Sequence, residues 1–490
     1  MQNPFAKCCV KSTEGNNSLQ FLAMFTGTLS LVCSGMHYGW PSPSLPQLLN
    51  NSSTILITSE EGSWIAVMPL IGSICGSLIS VLILDVIGRK RAILLSCIPH
   101  LVAWIMIAYA KSVAVIISAR FIAGISDGLV LCALPMYLGE IANARVRGAL
   151  GSSVSVMRIF GTFLINIIGS YLSISTTAIV SSILPLLCLF TFAWMPESPY
   201  YLIMKENVQQ AGRNLKMLRC TDNVEADLER MAKAVKEQNE NTKRYLDLFT
   251  VKANRKALGI ALVLRGAQQI SGISAITFYA QIIFAQAGNI SILSARHASM
   301  IYFAVQVILC ACCSMIVDKV GRRPLLIISI VGAGLALFTG GTYFYVLNKS
   351  NANLNNFAWI PLVALVGYVV FFSLGMQTIP ITILGEMFPT NVKAFALSLM
   401  AVYFCITATI VSKFFQITKD NFGLHVPFYT FFMVCVLGLI FIILFVPETK
   451  GKTLEEIQDE LKQCDVKGNK TCTEPAEECR MLPDSYTREY

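Results

Sequence analysis

Two adjacent glutamines, Gln268 and Gln269, lie in a long apolar stretch and are well suited to bind a polar solute. Their amides supply hydrogen-bond donors and acceptors in an apolar wall, as a hydroxyl-rich small molecule requires. Gln268, Gly272 and Tyr279 follow helical spacing, which predicts one shared helix face. Gly272 also allows the helix to break and expose backbone groups. The stretch predicts a binding site, with glutamine bonding between helices as the alternative.

Acidic and basic residues stand at matched places near predicted helix ends, where they can pair between helices when that side of the molecule closes. One exposed ion pair contributes only about 0.2 to 1 kcal/mol, but a network could shift a two-state equilibrium of a few kcal/mol. An ordinary excess of Lys and Arg in loops on one side of a membrane is the alternative, although it does not explain the acids. The expected gate consists of Asp85, Arg89, Glu140, Arg147, Glu197, Asp318, Arg322, Arg323, Glu386, Lys393 and Glu448.

Three of these charged motifs occur twice, in the same order. DVIGRK at 85–90 recurs as DKVGRR at 318–323, EIANARVR at 140–147 as EMFPTNVK at 386–393, and PES at 196–198 as PET at 447–449. Three pairs in register predict that one six-helix unit was duplicated. Two parallel six-helix halves around a central cavity are typical of secondary transporters.

The composition predicts a protein that spans a membrane. Of the 490 residues, 54% are hydrophobic and only 14% are charged, whereas soluble chains usually carry about a quarter charged residues. The apolar stretches are continuous and close to the roughly 20 residues that cross a hydrocarbon core, so helices are predicted. The twelve predicted spans are 19–40, 61–84, 92–110, 113–139, 150–172, 177–195, 257–287, 296–317, 325–347, 357–386, 392–416 and 427–446.

These spans divide the chain into two bundles and three other segments. We expect an N-terminal tail at 1–18, a first bundle at 19–195, a linker with short helices at 196–256, a second bundle at 257–446 and a C-terminal tail at 447–490. About 30 of the 38 Lys and Arg fall in the tails and the even-to-odd connections, which predicts that both termini are cytoplasmic. This topology explains the formal charge of +9 without a nucleic-acid partner.

Eight short motifs lie at predicted helix ends or in the apolar spans, from the second span to the C-terminal tail. They are GRK at 88–90, RFIAG at 120–124, PMYLGE at 135–140, RG at 147–148, PESP at 196–199, QQISG at 268–272, GRR at 321–323 and PETKG at 447–451. In this order they resemble the sugar porters of the major facilitator superfamily, and among these the insect facilitated trehalose transporters. The resemblance implies an all-α membrane protein with twelve transmembrane helices in two pseudo-symmetric six-helix bundles, the major facilitator fold. It also implies a monomer in the plasma membrane that carries a sugar, trehalose or a hexose, by alternating access.

The resemblance further implies a sugar site that faces the cavity mainly from the second half. By the family pattern Gln306 joins the two adjacent glutamines. The pattern departs elsewhere, because Ser274 stands where an asparagine is expected, Ser155 for a glutamine and Ser373 for a glutamate. These smaller side chains leave the identity of the sugar open. The implied substrate-binding set is Gln268, Gln269, Ser274, Tyr279, Gln306, Ser155, Ser373 and Gln377.

Energy coupling depends on acids inside the membrane. Proton-coupled sugar porters carry an aspartate after an aromatic residue in the first helix, whereas Gly39 follows Tyr38 here, which implies facilitated diffusion. Arg120, Asp127 and Arg158 nevertheless lie in predicted spans, where a charge costs about 2.5 to 3.5 kcal/mol. We expect Asp127 to pair with Arg158 and join the fourth and fifth helices. A substitute proton site at Asp127, and with it a proton-coupled symporter, is an alternative, as is a sugar receptor that does not transport.

Other functional classes find little support in the sequence. The four histidines, at 37, 100, 297 and 425, have no metal-ligand spacing, and neither a P-loop nor a nucleophile elbow is present. We therefore expect no enzyme, no metal and no cofactor. Asn-X-Ser sequons in predicted outer loops mark four candidate glycosylation sites, Asn50, Asn51, Asn289 and Asn348.

Overall fold

The computed structural model describes residues 17–50, 55–143, 146–221, 223–241, 247–287, 294–349, 357–388, 390–450 and 456. The regular elements in this part of the chain are α-helices. Helices satisfy their own backbone hydrogen bonds, which is the requirement for a chain that crosses hydrocarbon. The structure therefore agrees with the all-α fold class that the sequence predicts.

Within the described residues, the first half contains seven helices that make six crossings. They are α1 (Ser18–Gly39), α2 (Pro41–Leu48), α3 (Ser59–Ile87), α4 (Arg89–Ala108), α5 (Val113–Ile141), α6 (Arg147–Tyr171) and α7 (Ile174–Phe192). α1 and α2 form one crossing that bends at Trp40. α3 begins with a capping box, in which Thr58 Oγ1 accepts from the Glu61 N–H at 3.2 Å. α3 packs on α5, and α1 packs on α6.

The connection between the halves contains four helices in its described part. They are α8 (Pro199–Met204), α9 (Val208–Arg219), α10 (Glu225–Asn241) and α11 (Asp247–Thr250). The connection is fastened to the first half, because Gln20 Nε2 donates to the Leu218 carbonyl at 3.0 Å and Asn143 N donates to Gln20 Oε1 at 2.9 Å. These four helices lie within 196–256, and the first helix of the second half begins at Lys252.

The second half repeats the arrangement, with eight helices in the ranges that the structure describes. They are α12 (Lys252–Ile270), α13 (Ile273–Gln286), α14 (Ala295–Val320), α15 (Arg322–Lys349), α16 (Ile360–Leu374), α17 (Ile379–Met387), α18 (Thr390–Phe422) and α19 (His425–Phe445). α15 packs on α16 and α19, and α12 packs on α18. Across the halves, α3 packs on α18, α6 on α14 and α2 on α13.

The membrane crossings follow from length and apolar surface. Among the described residues, eleven helical stretches are long and apolar enough to cross a membrane. The twelfth crossing is shared by α12 and α13, which are separate because the predicted span 257–287 breaks near its middle. Large apolar side chains face outward, as with Leu82, Phe190 and Leu437, and a lipid environment removes the cost of exposing them to water.

Candidate functional site

The break between α12 and α13 lies at Gly272. This residue has φ +93°, a left-handed conformation that favours glycine, and a Cβ there would overlap the Phe431 ring. The Gly272 N–H donates to the Gln269 carbonyl at 2.9 Å, and the Gly272 carbonyl accepts from Ile276 N at 2.8 Å. The predicted break is confirmed. Because the helix does not continue through it, helical spacing no longer relates Gln268 to residues beyond Gly272.

Gln268 uses both ends of its amide. Its Oε1 accepts from Arg265 Nη1 at 2.6 Å, and its Nε2 donates to the Gln377 carbonyl at 3.0 Å. The Gln377 backbone lies between α16 and α17, so the amide links α12 to a second interrupted helix. Gln268 is buried, and the bonds hold its side chain in one orientation.

Gln377 contacts two further residues of the predicted substrate-binding set. Its Oε1 accepts from Gln306 Nε2 of α14 and from Ser373 Oγ of α16, both at 3.4 Å. These bonds are long, and they leave capacity for hydrogen bonds to a polar guest. Together Gln268, Gln306, Ser373 and Gln377 form what we name the amide cluster.

Gln269 and Ser274 connect the second half to the first. Ser274 Oγ donates to Gln269 Oε1 at 2.6 Å and shares a hydrogen bond of 2.7 Å with Tyr38 OH. The Tyr38 ring meets the Phe278 ring edge-on at 4.9 Å between centroids. This bridge crosses between the halves at the helix break, beside the amide cluster.

The two remaining predicted residues lie apart from these contacts. The Tyr279 ring stacks on Phe415 at 5.3 Å, and its buried hydroxyl has no partner among the described residues. Seven residues of α13 separate it from Gly272, a rise of about 10 Å. Ser155 is half-buried on α6, and no hydrogen bond of the described residues joins its side chain to the amide cluster.

Two arginines flank the same region. The Arg158 guanidinium lies over the Tyr38 ring at 4.6 Å, and that of Arg265 lies over the Phe404 ring at 4.6 Å. The Nε atoms of both are buried without a hydrogen-bond partner among the described residues. Arg158 is expected from the sequence as an intramembrane charge paired with Asp127, whereas Arg265 is not among the predicted site residues. A cation three residues before Gln268 in an apolar stretch was the signal that could have found it.

The expected ion pair between Asp127 and Arg158 is wrong. Asp127 Oδ1 is 3.0 Å from His100 Nε2 of α4, while Arg158 lies on Tyr38 instead. Arg120 donates to the His37 carbonyl at 2.6 Å. α5 turns Asp127 toward α4, and no sequence spacing identifies which neighbouring helix will supply its partner. The imidazole and carboxylate are both buried inside the first half.

One end of the first half is charged, because α4 begins there with Arg89 and α5 ends there next to Glu140. We name it the charged end. Arg89 donates to Glu140 Oε1 and Asp85 Oδ1, each at 3.0 Å, and Ser198 Oγ donates to the other Glu140 oxygen. Glu197 Oε1 accepts from Lys90 N at 3.0 Å, at the beginning of α4. A carboxylate is favourable at a helix N-terminus, where the first N–H groups lack partners.

The second half repeats this geometry. Arg322 Nη2 is 2.9 Å from Glu386 Oε1, and Thr449 Oγ1 donates to Glu386 Oε2 at 2.5 Å. Glu448 accepts from the N–H groups of Arg322 and Arg323, each at 3.0 Å, at the beginning of α15. Burial would raise the pKa of Glu448, but backbone N–H groups, first that of Lys450 and then these two, hold it below its ordinary value.

Three expected gate residues stand outside these networks. Arg147 is exposed at the beginning of α6. Lys393 donates to the Gly385 carbonyl at 2.6 Å. The side chain of Asp318 lies outside the described residues. Among the described residues, the ion pairs of Arg89 and Arg322 are formed with acids of the same half.

At the opposite end of the molecule, α3 and α18 are joined by polar contacts. Ser59 Oγ donates to Asp420 Oδ2 at 2.7 Å, and Lys413 Nζ donates to Ser63 Oγ at 2.6 Å. The Lys413 ammonium also lies 3.7 Å from the centre of the Trp64 ring. These contacts link the first half directly to the second.

A second set of contacts joins α6 to α13 and α14 at the same end. Gln281 Nε2 donates to Ser170 Oγ at 2.7 Å, and Tyr171 OH lies 3.2 Å from His297 Nε2. Together with the pairs between α3 and α18, they hold the opposite end together across the two halves. Near this end Asn50 and Asn348 are exposed, while Asn51 and Asn289 lie outside the described residues.

Comparisons with known proteins agree with this architecture. The family model described as "Sugar (and other) transporter" matches residues 16–461. The facilitated trehalose transporter Tret1 of Bombyx mori is 33% identical over 443 residues, which cover 90% of this chain and 86% of that protein. Tret1 of Anopheles gambiae is 33% identical over 447 residues, which cover 90% of this chain and 55% of that protein. The chain thus spans about half the length of the mosquito relative.

Solved structures show the same fold. The E. coli xylose transporter XylE in an inward-open conformation matches with a TM-score of 0.74 at 22% identity, over 90% of this chain and 99% of that chain. The proton:xylose symporter XylE bound to 6-bromo-6-deoxy-D-glucose matches with a TM-score of 0.73 at 23% identity, over 91% of this chain and 100% of that chain. Both belong to the major facilitator superfamily. The chain shares the fold of these structures, and the family model and the Tret1 relatives show that it belongs to the sugar transporter family, as a multi-pass membrane transporter rather than an enzyme.

Proposed function

We propose that the protein carries a sugar, trehalose or a hexose, across the plasma membrane by facilitated diffusion. The observation that carries this proposal is the amide cluster beside the break of a crossing helix, at the junction of the two halves. Sugar hydroxyls both donate and accept, and so do these amides. Each bond contributes only about 0.5 to 1.5 kcal/mol net, which suits a carrier that must release its cargo.

The arrangement of contacts supports alternating access. The halves are joined at the opposite end, while the ion pairs of the charged end lie within each half. In this proposal the charged end is cytoplasmic, as its excess of Lys and Arg favours, and both termini are cytoplasmic too. The structure then corresponds to a carrier that is closed toward the outside. One chain supplies both halves of the site, which supports function as a monomer.

The first helix supports transport without proton coupling. Gly39 follows Tyr38 at the place where an aspartate would bind the proton, and a Cβ at Gly39 would lie only 2.7 Å from Thr162 Cγ2. The close packing of α1 on α6 leaves no room for a carboxylate there. Net flux is therefore set by the sugar gradient alone.

Proton-coupled sugar symport is the second candidate, because of the buried pair of His100 and Asp127. A carboxylate and an imidazole held 3.0 Å apart inside the first half could bind and release a proton during the cycle. In uniport, uptake into proteoliposomes is unchanged between pH 5.5 and 8 and does not acidify the lumen. Symport predicts acidification of the lumen that is lost in Asp127→Asn.

The purified full chain in proteoliposomes tests the proposed function directly. Labelled trehalose, glucose and fructose are each offered outside sealed vesicles, and empty vesicles serve as the control. At least one sugar should enter until its inner and outer concentrations are equal. Binding without uptake would overturn transport in favour of a receptor, and accumulation above the outer concentration would overturn uniport.

A further inference from the structure

The junction of the two halves at the helix break, which we name the central cleft, contains two cationic groups without a carboxylate partner among the described residues. Arg158 on α6 and Arg265 on α12 come from different halves, and neither forms an ion pair in the described part of the chain. Arg158 lies over the ring of Tyr38, whose hydroxyl is joined through Ser274 to Gln269, and Arg265 donates to Gln268, the preceding residue. The two guanidinium groups therefore lie at the same helix break, one from each half.

The hydrogen-bonding edges of both groups remain partly free. Each guanidinium rests with a face on an aromatic ring, Tyr38 for Arg158 and Phe404 for Arg265, and each Nε lacks a partner within the described ranges. Arg265 Nη1 already donates a hydrogen bond to Gln268 Oε1. Stacking on a ring leaves the donor fork of an arginine available for bidentate binding of a carboxylate or phosphate.

A carboxylate of the protein does not fulfil that role. Asp127 is held at 3.0 Å by His100 inside the first half. Two like charges at membrane depth are costly unless an opposite charge joins them. Function, rather than folding, is the usual reason for charges that a protein retains in such a place.

We propose that this cleft prefers sugars that carry an anionic group, a carboxylate or a phosphate, bound between Arg158 and Arg265. The sugar ring then lies on the amide cluster, and Gln268 joins the two parts because it contacts both Arg265 and the Gln377 backbone. This inference rests on the proposed function and specifies its substrate class. A neutral hexose fills only the amide side of the site.

The test measures ligand-induced thermal stabilisation of the purified full chain. The probes are glucuronate, its neutral amide glucuronamide, glucose 6-phosphate and glucose, because each charged and neutral pair shares one ring. Glucuronate should stabilise the wild type at a concentration at least tenfold lower than glucuronamide does. The second pair shows whether a phosphate replaces the carboxylate. Equal effects within both pairs would overturn the inference.

Variants assign the preference to the two arginines. Arg158→Gln combined with Arg265→Gln should bring both charged-to-neutral ratios close to one, whereas the double Lys variant should retain part of the preference. Arg296→Gln, which removes an exposed arginine at the beginning of α14, is the matched control. A preference that survives the double Gln change would overturn the assignment. If that variant fails to fold, the comparison of charged and neutral probes on the wild type still tests the preference for an anionic sugar.

Uptake into proteoliposomes separates this inference from the proposed function. If neutral sugar enters and the charged and neutral probes bind equally, the preference for anionic sugars is contradicted and sugar transport is supported. Charge-dependent binding without uptake of any probe would support the binding preference and overturn transport.

Discussion

Gln268 holds the centre of the site because its amide accepts from Arg265 on the same helix and donates to the Gln377 carbonyl between α16 and α17. We predict that Gln268→Ala lowers sugar uptake roughly two- to tenfold, the effect of losing a net 0.5 to 1.5 kcal/mol hydrogen bond. Uptake is measured at equal surface expression. Gln209→Ala, which removes an exposed amide on α9, is the control and should change nothing. Undiminished uptake in Gln268→Ala would mean that the sugar binds elsewhere.

At the residue scale, the sequence identifies side chains better than their partners. The glutamines stand out as polar groups in apolar spans, and the structure does bring Gln268, Gln306 and Gln377 together. Tyr279 was grouped with them by helical spacing, which the break at Gly272 interrupts. The partner of Asp127 could not be predicted either, since it depends on how α5 turns against α4.

At the element scale, the break at Gly272 shapes the site. We predict that Gly272→Ala lowers both the melting temperature and the uptake rate, because a left-handed alanine costs about 1 to 2 kcal/mol and its Cβ would overlap Phe431. Gly259→Ala in α12 is the matched control, since a Cβ there meets open space. It should leave stability equal or slightly higher, as alanine favours helix. Equal stability of the two variants would contradict the role of the break.

The ion-pair networks also belong to the element scale, because each one joins the ends of neighbouring helices within one half. We predict that Glu140→Ala slows uptake several-fold while the affinity for sugar stays within about twofold, since the buried Arg89 then keeps only Asp85 as its acidic partner. Turnover and competition binding are measured side by side. Glu229→Ala, at an exposed position on α10, should behave as wild type. Normal turnover of Glu140→Ala would remove the gate hypothesis.

Element boundaries were predicted to within several residues, and for a clear reason. Apolar stretches end where charge begins, so most spans agree with the helices of the structure. α12 begins at Lys252, before the predicted residue 257, because its first turns are polar and hydropathy does not mark them. Likewise α18 continues to Phe422, beyond the predicted residue 416, through Lys419 and Asp420, and Asp420 accepts a hydrogen bond from Ser59 of α3.

At the scale of the whole molecule, the motifs that occur twice in the sequence form the same contacts in both halves. Arg89 with Glu140 and Glu197 occupies the same arrangement in the first half as Arg322 with Glu386 and Glu448 in the second. Motif order alone could predict this correspondence. Which end of the molecule is joined across the halves could not be read from the sequence, because it is a property of one conformational state.

Alternating access requires the contact between Ser59 and Asp420 to open in every cycle. Their side-chain oxygens are 2.7 Å apart, so Ser59→Cys with Asp420→Cys should form a disulfide that locks this end. Uptake of labelled sugar into proteoliposomes is measured before oxidation, after it, and after reduction, with each single cysteine variant as control. We predict that oxidation abolishes uptake in the double variant alone and that reduction restores it. Unchanged uptake with the cross-link complete would contradict transport by alternating access.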